Sequence, residues 1–227
     1  MPLLVVGVSH HQATADQLTE FSVCARQAVA PLCREPGVAG LIELATCNRY
    51  ELYIDTDRFH STMRAAKRLL GEAGAGELIE LIDPLAARNG VEHLLRVACG
   101  LESMVVGEPE VVGQVRAALA AHPERMTPSL RRLFQLALST AKSIAADTPL
   151  GAVGRNMATV ALDLVERRHG SLAGQPVLLL GTGAYAGAVT ADLGRRGARI
   201  RVHSGSGRAT VFARSHPVAV VEPQDLA

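Results

Sequence analysis

The chain has no tryptophan, three tyrosines and four phenylalanines. That scarcity argues against a platform of stacked aromatics for single-stranded nucleic acid. It also lacks an excess of charge of either sign: 23 basic and 22 acidic residues leave a net +1. Nucleic-acid binding by bulk charge is therefore not indicated, and only a local patch remains open to it. Its longest apolar runs, such as Leu3 to Val6 and Val177 to Leu180, fall far short of the roughly 18 residues of a membrane helix. The first residues enter an apolar strand at once, with no basic segment or small-residue cleavage site, so no secretory signal is expected. Cys24, Cys33, Cys47 and Cys99 form no Cys-x-x-Cys pair, and no Cys/His set has zinc spacing, so no metal site is expected. Reduced thiols and a cytoplasmic location are the expectation.

What is present is core-forming material. The 227 residues are 48% apolar, which excludes a disordered polar chain and allows one large domain or two small ones. Leu3 to Ser9 reads as a buried strand. Thr14 to Arg26 reads as a helix, with Thr14 as N-cap and Gln17 as its capping-box partner. Val38 to Leu44 and Tyr50 to Ile54 read as strands joined by the turn Ala45-Thr46-Cys47-Asn48-Arg49. Ser61 to Leu70 is a basic amphipathic helix. Glu77 to Ile82 fits a strand or a helix, and Asp83-Pro84 is expected to start a helix. Further helices are expected at Asn89 to Ala98, stopped by Gly100, and at Pro109 to Ala121.

The fold class expected is α/β: an N-terminal α/β domain over 1–124, a helical connector over 125–170 and a partial Rossmann-like domain over 171–227. The connector has an apolar stripe from Leu130 to Ile144, a break at Thr148 to Gly151 and a second helix from Asn156 to Arg168. In the last part, strand Pro176 to Leu180, helix Gly187 to Arg196 and strand Arg199 to His203 form a βαβ unit.

The glycine turn Gly181-Thr182-Gly183-Ala184-Tyr185-Ala186 follows that strand and opens that helix. Gly181 permits the tight turn, Gly183 lets the backbone approach a pyrophosphate, and small Ala186 allows helix–strand contact. An ordinary βα turn is the rival reading. The second strand ends in His203-Ser204-Gly205-Ser206-Gly207-Arg208, with no acid for a ribose 2′-hydroxyl. Ser204, Ser206 and Arg208 suit a 2′-phosphate, so NADPH is favoured over NADH.

Cys47 lies in a polar turn beside Thr46, Asn48 and Arg49, where a thiolate can act as a nucleophile. His93 matters only where the fold brings it near that turn. The stretch Met104 to Gln114 holds two glycines flanking a Glu-Pro helix start, and it can present Ser103, Glu108 and Gln114 to a pocket.

Three segments together resemble glutamyl-tRNA reductase: Gly7-Val8-Ser9-His10, Ala45 to Tyr53, and His93 through Gln114 with Gly100-Leu101-Glu102-Ser103-Met104-Val105-Val106-Gly107-Glu108. With the connector and the glycine turn, the resemblance extends over nearly the whole chain. It implies a catalytic Cys47 that attacks glutamyl-tRNA, a thioester, and hydride reduction by NADPH to glutamate-1-semialdehyde in C5 tetrapyrrole biosynthesis. It implies His93 as an aid to acyl transfer. Thr46, Arg49, Ser103, Glu108 and Gln114 would line the glutamyl pocket. It further implies glutamyl-tRNA, a homodimer partner and a downstream aminomutase, with no membrane. The chain departs from the family in its glycine turn (usually Gly-Ala-Gly-Glu-Met-Gly) and at His203 to Ser206 (usually Asn-Arg-Thr-like). It also has roughly half the family's length, without the later cofactor-domain strands and dimerisation helices. The rival readings are a degenerate relative that binds tRNA or a pathway partner, and a small NADP-dependent reductase of another thioester.

Overall fold

The computed structural model describes residues 2–148, 150, 157–183 and 185–225. They fall into two compact units, residues 1–154 and 155–227. Parts of the expected break after Thr148, the start of the second connector helix, and Ala184 lie outside the described residues.

The first unit is a four-stranded sheet sandwiched between two helical layers. Its strands are β1 (Leu3–Ser9), β2 (Val38–Ala45), β3 (Arg49–Thr56) and β4 (Leu85–Ala86), in the order β2-β3-β1-β4 with every pairing antiparallel. Side chains alternate across the sheet, so Leu4, Val6 and Val8 face one layer while Leu3 and Val5 face the other. The first layer holds α1 (Ala15–Leu32) and α2 (Phe59–Glu72). The second holds α3 (Ala87–Ala98), α4 (Glu110–Ala121) and α5 (Pro128–Asp147). Thr14 caps α1, and Gln17 closes the expected capping box.

Between α2 and α3 one open reading is decided and one expectation fails. Gly76–Leu81, read as strand or helix, is a 3-10 helix that buries Leu78. The segment after Asp83-Pro84 extends into β4 instead of starting a helix. Leu85 and Ala86 pair with Val5 and Leu4, because β1 has a free side there. The connector helix α5 packs Leu130, Leu133, Phe134, Ala137 and Ala141 into the core of the first unit. Thr127 caps it and also donates to Asp55 Oδ2 on β3 at 2.6 Å.

The second unit is a β-α-β-α-β run: β5 (Pro176–Leu180), α7 (Ala186–Arg195), β6 (Arg199–His203), α8 (Ala209–Ala213) and β7 (Ala219–Val220). The strands are parallel in the order β5-β6-β7. The other connector helix, α6 (Met157–His169), belongs to this unit. The residues expected to form one connector are thus shared between the two units. The second core is small: Leu172, Leu193 and Ile200 are its buried centre. Charge supplements it. The Arg196 guanidinium bonds Asp163 and Glu166 on α6 and Asp192 on α7. Along β5 the residues alternate, and Leu178 and Leu180 are 45% and 70% exposed. Beside them, Arg201 on β6 is the neighbour of Leu178.

Gly7 sits where β1 meets Glu51 on β3, and a Cβ there would lie 2.2 Å from the Tyr50 carbonyl oxygen. Gly7→Ala is expected to destabilise the first unit by about 1–3 kcal/mol through overpacking against backbone. Urea unfolding measures it, and an unchanged midpoint would refute the close approach.

Candidate active site

Cys47 is exposed in the short turn of the β2–β3 hairpin. The Thr46 N–H donates to the Arg49 carbonyl at 2.9 Å, closing the turn. The Asn48 N–H donates to Thr46 Oγ1 at 3.1 Å, so the threonine hydroxyl shapes the loop from inside. The His10 N–H donates to the Asn48 carbonyl at 2.9 Å and ties the turn to the end of β1. A thiol on such a tip has a fixed origin and an open approach.

Below the turn, β3 carries Arg49, Glu51 and Tyr53 on one face by strand alternation. Glu51 is only 4% exposed. Its Oε1 accepts from Arg49 Nη1 at 3.0 Å and pairs with His93 Nε2 at 2.9 Å, while Oε2 accepts from the Tyr53 hydroxyl at 2.6 Å. Burial pushes the Glu51 carboxyl upward, but the His93 hydrogen bond, the Arg49 charge and the Tyr53 hydrogen bond outweigh it. The group sits below its ordinary value. An ionised carboxylate only accepts, so His93 Nε2 donates in this hydrogen bond. Burial, then the Glu51 charge, hold Tyr53 well above the usual phenol range.

Arg49 is itself only 2% exposed. Its second terminal nitrogen donates to the Glu102 carbonyl, and the Glu102 carboxylate binds Arg96 and His11. The loop between α3 and α4 is thereby pinned to β3. Its neck is closed by the Gly107 N–H donating to the Gly100 carbonyl at 2.9 Å, with both glycines at positive φ. His10 is held below its ordinary value by burial and by neighbouring His11.

The expected site residues do not all share one depression. His93, Glu51, Glu102, Ser9 and Gln12 line a cavity of about 180 Å³. Glu108, buried, lines an apolar cavity of about 140 Å³ with Cys99. Gln114 lines a groove of about 280 Å³ with Glu43 and Ala45. Ser103 is buried in the pinned loop. Glu51 and Tyr53 were not singled out from the sequence. The signal was there: Arg49, Glu51 and Tyr53 alternate along β3 with Tyr50, Leu52 and Ile54.

In the second unit the glycine turn lies at the end of β5. Gly181 has φ +99°, a conformation that favours glycine, and its N–H donates to the His203 carbonyl at 2.8 Å. A Cβ at Gly181 or Gly183 would meet nothing within 4 Å, so the turn faces open space. The Ala186 N–H donates to the Gly183 carbonyl at 3.0 Å, and Tyr185 is the N-cap of α7. At the end of β6, Ser204 Oγ lies 3.0 Å from Ser206 Oγ, to which Arg208 Nε donates at 2.9 Å. Thr182 Oγ1 is 3.5 Å from Ser204 Oγ. Glycine backbone, hydroxyls and a guanidinium at the strand ends fit a dinucleotide phosphate site. Ser204 also lines a cavity of about 280 Å³ with Glu222, an acid that sequence reading did not single out. Among the described residues no Cys, His or acidic group is arranged to hold a metal, and no helix is long and apolar enough to cross a membrane.

Residues 6–148 match the family model described as glutamyl-tRNAGlu reductase, N-terminal domain. Glutamyl-tRNA reductase of Clavibacter michiganensis subsp. michiganensis is 40% identical over 239 aligned positions, covering 99% of this chain and 54% of that protein. The Micrococcus luteus protein of the same name is 41% identical, covering 93% and 51%. The solved glutamyl-tRNA reductase from Methanopyrus kandleri superposes with a TM-score of 0.57 at 28% identity, covering 96% of this chain and 53% of that one. The chain spans about half the length of the curated relatives it matches.

The buried carboxylate sets a pH dependence. A depressed folded value means that the unfolded chain binds the proton more readily, so stability falls as pH falls. The Glu51 contribution is complete above about pH 4.3 and is lost below it, as pH passes through the folded value. Glu51→Gln is expected to flatten that acid limb and to cost about 3–5 kcal/mol at neutral pH by leaving Arg49 without its counter-charge. Urea titrations across pH check both, and an identical acid limb in the variant would contradict the assignment.

Proposed function

We propose that this chain, which belongs to the glutamyl-tRNA reductase family, carries out NADPH-dependent reduction of glutamyl-tRNA to glutamate-1-semialdehyde through a thioester on Cys47. That is the first step of C5 tetrapyrrole biosynthesis. The observation that carries the reading is the exposed Cys47 on a hairpin tip locked over the Glu51–His93–Arg49 network. The Cys47 thiolate attacks the ester carbonyl carbon. A C–S bond forms, the bond to the terminal ribose oxygen breaks, and that oxygen takes up a proton as tRNA leaves. His93 is assigned to aid acyl transfer, its ring held in place by the Nε2 hydrogen bond to Glu51.

Arg49, Thr46, Ser103, Glu108 and Gln114 are assigned to the glutamyl end of the substrate on the strength of the resemblance. Arg49 retains donors beyond its two bonds, and a guanidinium suits a carboxylate. The chemistry that bound NADPH supplies is hydride donation to the thioester carbonyl carbon, with release of the Cys47 thiolate. Gly181 and Gly183 would admit its pyrophosphate against the backbone, with Thr182, Tyr185 and Ala186 framing the turn. Ser204, Ser206 and Arg208 would hold its 2′-phosphate. A downstream aminomutase as consuming partner and a homodimer as assembly are what the resemblance implies.

A single-turnover assay tests this. Glutamyl-tRNA labelled on glutamate is mixed with the protein, with and without NADPH, beside Cys47→Ser. Label retained on the denatured wild type and lost in Cys47→Ser is expected, with semialdehyde appearing only when NADPH is added. Free glutamate that needs Cys47 but ignores NADPH would mean acyl transfer without reduction. No label on the wild-type protein would sink the reading. Gly183→Val is expected to cut semialdehyde formation at least about tenfold by blocking approach to the pyrophosphate, while label still reaches Cys47.

A further inference from the structure

The turns that follow β6 and β7 enclose one cavity of about 280 Å³ at the carboxyl ends of these parallel strands. Open α/β sheets bind their ligands at that end. Ser204, Gly205 and Gly207 reach the cavity from the β6 side, and Val221, Glu222 and Pro223 from the β7 side. Two hydrogen bonds fasten the sides together. The Val221 N–H donates to the Val202 carbonyl at 2.9 Å, and His203 Nδ1 donates to the Val221 carbonyl at 3.0 Å. Glu222 comes next in the chain, and its carbonyl accepts from the Asp225 N–H at 3.0 Å. A fastened turn therefore carries this acid into the cavity that Ser204 shares.

We propose that Glu222 is a specificity-determining residue of the dinucleotide site, and that it narrows the preference for NADPH over NADH. The inference rests on the reading that Ser204, Ser206 and Arg208 hold a 2′-phosphate. A phosphate monoester carries a charge of about −1.5 to −2 at neutral pH. NADH has a neutral hydroxyl at the same position. Arg208 favours the phosphate: its Nε donates to Ser206 Oγ, which lies 3.0 Å from Ser204 Oγ. Glu222 opposes it, because its carboxylate lines the same cavity as Ser204. The walls of so small a cavity stand within about one screening length of each other, about 8 Å at physiological salt, so the repulsion reaches a phosphate at Ser204. A ribose hydroxyl escapes that repulsion and can donate to a carboxylate. In NAD sites the acid that accepts from this hydroxyl sits at the end of the second strand. Here β6 ends without one, and the strand paired beside it supplies Glu222. The two sets of groups pull in opposite directions, and the balance between them fixes the cofactor preference.

Calorimetric titration of the full chain with NADPH and, separately, with NADH tests this. Glu222→Gln removes the charge and keeps the size. It is expected to tighten NADPH at least about threefold and to leave NADH no tighter. Glu222→Asp keeps the charge and is expected to keep the wild-type ratio of the two affinities. The gain in Glu222→Gln is expected to shrink between about 0.01 M and about 1 M salt, as the screening length falls from about 30 Å to about 3 Å. A change of shape alone would not respond to salt in this way. An unchanged ratio in Glu222→Gln overturns the proposal, and so does a gain that high salt leaves intact or that Glu222→Asp shares. The underlying reading fails separately: in that case neither dinucleotide binds the wild type, and the proposal falls with it.

Discussion

A single buried negative charge organises the first unit. Glu51 lies in the central strand pair of the sheet, nearly sealed from water and still ionised. Taking a carboxylate out of water is unfavourable by several kcal/mol unless it is fully bonded. Glu51 meets that condition with donors from Arg49, Tyr53 and His93, and the last of these comes from a different helix. Arg49 then extends the network to the Glu102 carbonyl, and Glu102 binds Arg96 and His11. Strand, helix and loop are thereby fixed relative to one another by charge, and the hairpin tip inherits that rigidity. A nucleophile gains most when its origin does not wander.

The two units reach stability by different means. The first has apolar cores on both faces of its sheet, with Phe134 and Tyr53 meeting edge to face at 5.2 Å on one side. The second has a three-residue buried centre and relies on Arg196, whose guanidinium answers three carboxylates on two helices. The unit with the larger apolar core carries the group assigned to covalent chemistry. The lighter one carries the turn assigned to a cofactor that must come and go.

Much of this was legible because much of it is local. Thr14 and Gln17 form their capping box, β1, β5 and β6 begin and end where apolar alternation put them, and the Ala45 to Arg49 turn is a hairpin. The failures have physical reasons. Gly76–Leu81 has apolar spacing that suits more than one backbone, and 3-10 geometry won. Leu85 and Ala86 became a strand only because β1 had a free side, a fact of pairing that no local pattern holds. The α5 stripe was visible, but which unit it would fill was not. In the site, Glu51 shares a strand face with Arg49 and could be seen, whereas its bond to His93 spans 42 positions. The distribution of Glu108 and Gln114 between separate depressions depends on how α4 sits against the sheet, which spacing alone does not encode.

The bare leucines of β5 carry a consequence for how the protein behaves at high concentration. Among the described residues Leu178 and Leu180 are exposed on one face of β5, an apolar pair open to contact with another apolar surface. The adjacent strand answers with Arg201 beside Leu178 and Arg199 beside Pro176. Both arginines act as gatekeepers, placing positive charge where a second sheet would have to stack. Two arginines thus flank the exposed leucine face, and an apolar residue at either position would enlarge that apolar patch.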